Sequence, residues 1–472
     1  MMARFVCGVA VAATLAALPG SLVAQGFQVN EHGTCVMGRA GVGTPKPCGD
    51  GSAIFYNPAG IAGMEGATVS VGVTGIYAYG DFVDDYTGTK TDLDNPLVPV
   101  PHAFVAYGIT PQLTAGLGFF VPYGLGTKWP TTFEGRFNGY DNDLRSLYFQ
   151  PTVAYQIHPM IAIGAGFDFV LGSVTLTQRV DLSEQGVPGQ TVTFGNLGIP
   201  YHTDFADAKL EAHNATGFGG NVGILIKPHE AVSIGARYLS RVKLDYDGEA
   251  TFEQIPTNIV LPPFNPISLA LGFDPTQPLP IDPLLATQFA DGAPLGEQTG
   301  DASITMPDQI SVGIAVSPMP AFTLMAEWQW VHWALFDTLR LDFGNLDDAD
   351  DPVIVEDYKN TNGFRFGLEV MANDKLTLRG GYLYHQGAAP PETVTPLLPE
   401  GTRNEFTGGF GYRFSDRFSV DVAYQAIRQN KRRGRVAERE PGMTATEVIN
   451  EVNSGLYKFN AHLFGVTLTA AF

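Results

Sequence analysis

The sequence predicts an all-β fold: a transmembrane antiparallel β-barrel of about fourteen strands with an N-terminal plug in its lumen. Three observations predict it. Hydropathy alternates with period two from Ala67 to the C-terminus. The joints between the alternating segments are short and long by turns. Charged residues make up 16% of the chain, low for a soluble domain, yet the mean hydropathy of +0.03 is too low for a bundle of membrane helices.

Residues 1–24 read as a signal peptide. Arg4 is followed by an apolar stretch from Phe5 to Leu18, then by Pro19-Gly20 and a small Ala24 suited to cleavage. A membrane anchor is the rival reading, disfavoured by the shortness of the run. Downstream no uninterrupted apolar run is long enough for a spanning helix, so the mature chain is expected to be exported to the outer membrane of a Gram-negative-type bacterium.

Residues 25–66 lack period two and read as a hatch inside the barrel. "AIFYNPAGIAG" (53–63) is apolar but broken by Asn57-Pro58, where Pro removes a donor and disfavours helix before it. Irregular backbone at membrane depth is tolerated where a barrel wall surrounds it. Cys35 and Cys48 are the two cysteines of the mature chain, and in an exported protein a disulfide is the natural reading. A metal site with His32 lacks a clear fourth ligand, so no metal is expected.

Residues 67–472 supply the barrel. "IAIGAGFDFVL" puts Ile161, Ile163, Phe167 and Phe169 on one face and Ala162, Gly164 and Asp168 on the other. "GFRFGLEVM" and "RFSVDVAYQ" alternate in the same way. A soluble sandwich would show this alternation too, and the joints discriminate. "ITPQ" (109–112), "HPM" (158–160), "KPHE" (227–230), "SPMP" (317–320), "NDK" (373–375) and "SDR" (415–417) are short. The stretches 81–96, 124–143, 180–205, 255–299, 344–357, 387–402 and 429–452 are long and polar or Pro-rich. Short turns on one side and long loops on the other mark an outer-membrane barrel. The terminal Phe472 suits recognition by barrel assembly machinery.

A net charge of −20 argues against nucleic acid as a partner. Acidic loops such as "NLDDADDPVIVED" (345–357) read as solvated charge, with cation bridging to lipopolysaccharide as the alternative. The basic run "RQNKRRGRVAERE" (428–440) reads as a solvated loop, with lipopolysaccharide phosphates second. "GFGGNVG" (217–223) lies inside an alternating strand with no helix after it, so it is not a dinucleotide loop; its glycines let the plug approach. No Ser/His/Asp set stands at a defined elbow. Neither enzyme activity nor a cofactor is expected.

"GFQVNEHG" (26–33), "GRAG" (38–41), "NPAG" (57–60), "FFVPYGLGTKW" (119–129), "EWQWVHWALFDTLRLDF" (327–343) and "GYLYHQGAAPPETVTPLLPEGTRNEFTGGFGYRF" (381–414) occur in this order along the chain. Together they resemble the FadL-like outer-membrane transporters of long-chain fatty acids and other hydrophobic compounds. The cysteine pair is a departure from the family pattern. The resemblance implies capture of ligand in an apolar groove among the extracellular loops. Transfer to a pocket closed by the N-terminus follows, then lateral release at a kink in the third strand.

Carried onto this chain, hatch and gate fall on Gly26, Phe27, Asn57, Pro58 and Ala59, and the kink on Val121, Pro122 and Tyr123. Pro122 must break a ladder hydrogen bond or end the strand. The apolar loop 255–299 offers Ile259, Leu261, Phe264, Ile267, Leu269 and Phe273 for the first groove, or for a self-packed rim. Arg179 resembles the family's head-group arginine, with Lys359 second. Arg365, Arg379 and Arg413 are expected to brace the lumen by pairing with Glu369, Glu327 and Glu405. The expected partners are a hydrophobic ligand and outer-membrane lipid, and the expected state is a monomer. Uptake of aromatic hydrocarbons, a general porin and a structural barrel are the competing readings.

Overall fold

The computed structural model describes residues 26–85, 87–187, 191–345, 353–434 and 455–472. The expected signal peptide, residues 435–440 of the basic run and residues 346–352 of the acidic loop lie outside the described residues. Among the described residues no helix is long and apolar enough to cross a membrane.

The chain crosses by strands. In order they are β1 (Ala67–Asp84), β2 (Val98–Gly108), β3 (Leu113–Lys128), β4 (Asp141–His158), β5 (Ile161–Asp181) and β6 (Asp204–His229). β7 comprises Val232–Leu239 and Val242–Gln254, β8 Gln298–Met306 and Gln309–Met319, β9 Phe322–Val331 and Thr338–Phe343, and β10 Val353–Val355 and Thr361–Met371. β11 (Leu376–His385), β12 (Arg403–Arg413), β13 (Phe418–Gln429 with Arg432–Gly434) and β14 (Gly455–Ala471) complete the wall. Each strand pairs antiparallel with its neighbours, and β14 returns to β1 in register from Thr68↔Ala471 to Asp84↔Gly455. Phe472 finishes the seam by exchanging backbone hydrogen bonds with Ala67. Closure of the 14-strand barrel pairs the first strand with the last and so removes the two free edges that an open sheet would expose to lipid.

Period-two alternation sets the two faces. Phe464, Val466 and Leu468 of β14 are exposed on the outside, while Leu463, Gly465 and Thr467 are buried within. Val71, Leu117, Phe218 and Phe366 continue the outer apolar band. β3 runs five residues into the expected loop 124–143, to Lys128, because its far end stays paired with β4 as far as Lys128↔Asp141.

Residues 26–66 contribute only short helical turns, at Thr34–Met37, Ala53–Tyr56 and Pro58–Ile61. Their hydrogen bonds reach the inner wall on many sides. Thr34 N bonds Thr467 of β14, Ala40 N bonds Thr407 of β12, and Glu327 of β9 accepts Gly43 and Thr44 N–H. Gln150 of β4 and Asn221 of β6 both donate to the Ile54 carbonyl. Cys35 and Cys48 form a disulfide, Cα to Cα 6.4 Å, closing a loop that touches the inner wall from Gly235 of β7 to Gly465 of β14. Nearly every residue from Phe27 to Ala59 is buried, since wall surrounds it.

The lumenal ion pairs are partly as expected. Arg365 bonds Glu327 at 3.0 Å and Arg379 bonds Glu369 at 2.9 Å. Arg413 is not a brace. It is exposed beside the Ser415–Arg417 turn, and Glu405 pairs with His385 instead.

Candidate functional site

The wall is interrupted where Pro122 lies. β2 and β3 pair from Gly108↔Thr114 only as far as Ala103↔Phe119, after which β2 stays with β1 up to Val98↔Ile76. On the other side of β3 the register with β4 shifts between Phe120↔Tyr148 and Tyr123↔Ser146, so Val121-Pro122 bulges opposite Leu147. Pro122 brings no N–H to a ladder, so this is the position in β3 where losing β2 costs least.

Residues 27–29 take the vacated place. Val29 N–H donates to the Pro122 carbonyl at 2.9 Å, and Gly124 N–H donates to the Phe27 carbonyl at 3.0 Å. Gln28 and Tyr123 form an isolated antiparallel bridge. Phe27 then packs edge-on to Trp333, Phe336 and Tyr123, with centroids at 4.8, 5.5 and 6.3 Å. Trp333 comes from an excursion of β9 between Val331 and Thr338. Gly26 has φ +57°, and a Cβ there would lie 2.4 Å from the Trp333 ring, so both backbone and space require glycine. Its N–H donates to Glu400, which also accepts from Ala388 and Ala389 N–H. Burial pushes the Glu400 carboxyl above the usual range.

Beside this N-terminal strand is a cavity of about 580 Å³. Inward residues line it, among them Val29, Ile76 and Leu463, and so do outward residues Pro101, Arg145 and Leu147. It therefore passes between β2 and β3 from the lumen to the outer face. Below it a continuous polar belt crosses the wall. Gln150, Asn221, Arg237, Gln309, Gln329 and Arg365 are joined by hydrogen bonds of 2.7–3.3 Å. Tyr123 Oη accepts from Gln309 and donates to the Pro307 carbonyl, both at 2.6 Å, which ties the bulge to the belt.

Asn57 lies elsewhere. Its side chain caps Ala59 N–H and donates to the carbonyls of Thr44 and of Ile224 on β6. Added Cβ atoms at Gly223 and Gly235 would fall 2.0 and 2.1 Å from Asn57 and Thr44, so the glycines of β6 and β7 admit this turn. Pro58 and Ala59 pack there too, over Gly164 of β5. Residues 27–29, rather than Asn57, satisfy the backbone at Pro122.

Neither expected head-group cation reaches the cavity. Arg179 lies 3.7 Å from Asp207 and over the Tyr140 ring, and Lys359 pairs with Asp357. In loop 255–299, Ile267 and Ile281 are buried in a core shared with the 180–205 segment, which contributes Leu182 and Phe205, and Ile259 and Leu261 pack against it. Phe264, Leu269 and Phe273 are exposed at 69%, 62% and 41%. Sequence reasoning passed over Gln28, His385 and Arg403 as cavity residues. The inward parity of His385 and Arg403 on their strands was the available signal. Among the described residues no group of three or more His, Cys, Asp or Glu could hold a metal ion.

A barrel whose wall opens at one point to a cavity, with residues 27–29 in the breach, defines a transport-type outer-membrane barrel. Comparison with known proteins agrees. Residues 15–472 match the family model described as outer membrane protein transport protein (OMPP1/FadL/TodX), and the chain belongs to that family. It is thus an outer-membrane transport protein and not an enzyme. The long-chain fatty acid transport protein of Escherichia coli O6:H1 is 25% identical over 428 residues, 88% of this chain and 89% of the relative. The crystal structure of a Pseudomonas aeruginosa FadL homologue superposes with TM-score 0.73 at 20% identity, covering 95% of this chain and 100% of that one. The Ralstonia pickettii toluene transporter TbuX gives TM-score 0.62 at 21% identity, covering 94% and 99%.

Proposed function

We infer that this protein takes up hydrophobic small molecules and releases them sideways, through the opening between β2 and β3, into the outer leaflet. The observation that carries this reading is the cavity lined from both faces of the wall. Relatives named for long-chain fatty acids and for toluene support the class of cargo. An apolar solute leaving by this path avoids the polar belt beneath, where each unpaired polar contact with an apolar guest would cost several kcal/mol on the order of 2–7. The segment 25–66 acts as the hatch, and residues 26–29 as its movable edge. Phe264, Leu269 and Phe273, exposed on the extracellular loop, provide first capture. Residues 1–24 are the export signal, Phe472 addresses the chain to the assembly machinery, and the barrel works as a monomer in lipid and lipopolysaccharide. The apolar hatch filling the lumen disfavours a general porin.

The test is uptake of a radiolabelled hydrophobic compound by cells carrying the protein or its Pro122→Val variant. Restoring an N–H and removing the bulge should lower uptake at least tenfold while the barrel still runs as a folded species in detergent gels. Unchanged uptake with a regular β3 would overturn lateral release.

A further inference from the structure

The polar end of the cavity gives a direction to the cargo's chemistry. Its lining holds three carboxylates, Glu31, Glu405 and Asp143, against two guanidiniums, Arg145 and Arg403. Arg145 is already committed to Asp143, at 2.7 Å. Glu31 and Glu405 both accept from the one Gln425 amide, so two acidic groups stand together at the inner end with Arg403 as the lining's cation beside them. Two uncharged acceptors join them. Gln28 Oε1 is buried with no hydrogen-bond partner among the described residues. His385 places Nδ1 3.0 Å from Glu405 Oε1 and so donates there, which leaves its buried, unpartnered Nε2 as an acceptor. The remaining unpartnered group is a donor, Arg403 Nε, while Arg403 Nη2 holds the Gly26 carbonyl.

A carboxylate only accepts. Placed here it would satisfy Arg403 Nε and leave Gln28 Oε1 and His385 Nε2 unpaired, beside two acidic groups. A hydroxyl both donates and accepts, and carries no charge. It can therefore answer either the Arg403 donor or an orphaned acceptor without bringing a second charge. We propose that the cavity selects uncharged hydrophobic molecules ending in a hydroxyl, phenols and alcohols, over fatty-acid anions of the same size. This rests on the reading of the cavity as the transport site.

The experiment compares three molecules of one skeleton, 4-octylphenol, 4-octylbenzoate and octylbenzene. Binding to the full barrel in nanodiscs is measured at mildly alkaline pH, with empty nanodiscs as reference. The phenol should bind at least tenfold tighter than the benzoate, with octylbenzene between them. Gln28→Leu, verified folded by heat-modifiable gel mobility, should shrink the ratio of phenol to octylbenzene affinity to less than about twofold, whatever it does to octylbenzene itself; an unchanged ratio would overturn the role given to the orphaned acceptors. Benzoate binding as tightly as the phenol, or tighter, would overturn the inference and leave the transport site standing. Absence of saturable binding by all three would overturn the site itself, and the inference with it.

Discussion

Glu327 shows how single residues hold the N-terminal segment in place. One carboxylate oxygen meets Arg365 at 3.0 Å, and the other accepts the N–H groups of Gly43 and Thr44. Both side chains are 1% exposed. Removing one partner of such a buried pair costs about 3–5 kcal/mol, because the other charge is left unpaired. Glu327→Ala is therefore expected to loosen the 38–47 turn without opening the wall, whose ladder does not use this side chain. Single-channel recording should show new openings in this variant, and Glu327→Gln, which still accepts, should show fewer. Silence equal to that of the unmodified protein would mean that the turn is held by other contacts. At this scale Pro122 was legible because proline has a fixed meaning in a strand. Gln28 and His385 were not, because what marks them is an empty hydrogen-bond site, which depends on neighbours far away in sequence.

At the scale of elements, the strands were legible and their company was not. The alternation of "IAIGAGFDFVL" and "RFSVDVAYQ" follows from a wall with lipid on one side, and both segments are strands with the expected faces. The excursion of β9 at Trp333 was hidden inside an aromatic run that alternates well on either side of it. The pairing of residues 27–29 with β3 was hidden for a different reason. Three residues form it, and its partner lies almost a hundred residues on, so no local pattern encodes it. The surroundings of Asn57, on β6 and β7, were not legible either, because Asn-Pro shows that a turn exists and not what the turn faces.

The disulfide belongs to this scale too. It closes a loop of sequence separation 13. A crosslink over so short a loop contributes roughly 3 kcal/mol in the chain-entropy model. Replacing Cys35 and Cys48 together by Ser should leave the barrel folded and lower amide-exchange protection in residues 34–57 by about a hundredfold. Unchanged protection would show that wall contacts alone fix the segment.

For the molecule as a whole, the barrel and its N-terminus form one device. Among the described residues the wall is complete except where β2 leaves β3, and there residues 27–29 repair it. A repair of two backbone hydrogen bonds is worth about 1–3 kcal/mol net, strong enough to close the breach and weak enough for an entering ligand to displace. Val29, Val100 and Val121 form one buried cluster across the opening. Cysteines replacing Val100 and Val121 can be joined by a bismaleimide linker that contains a reducible disulfide, which staples β2 to β3 across the opening, and the native cysteines are already paired. Uptake of a hydrophobic compound is then measured in linked and reduced cells, with the unmodified protein as the control for reduction. The account predicts that uptake is lost in the linked variant and returns on reduction. Uptake by the linked, stapled barrel at the unmodified rate would contradict passage through this opening.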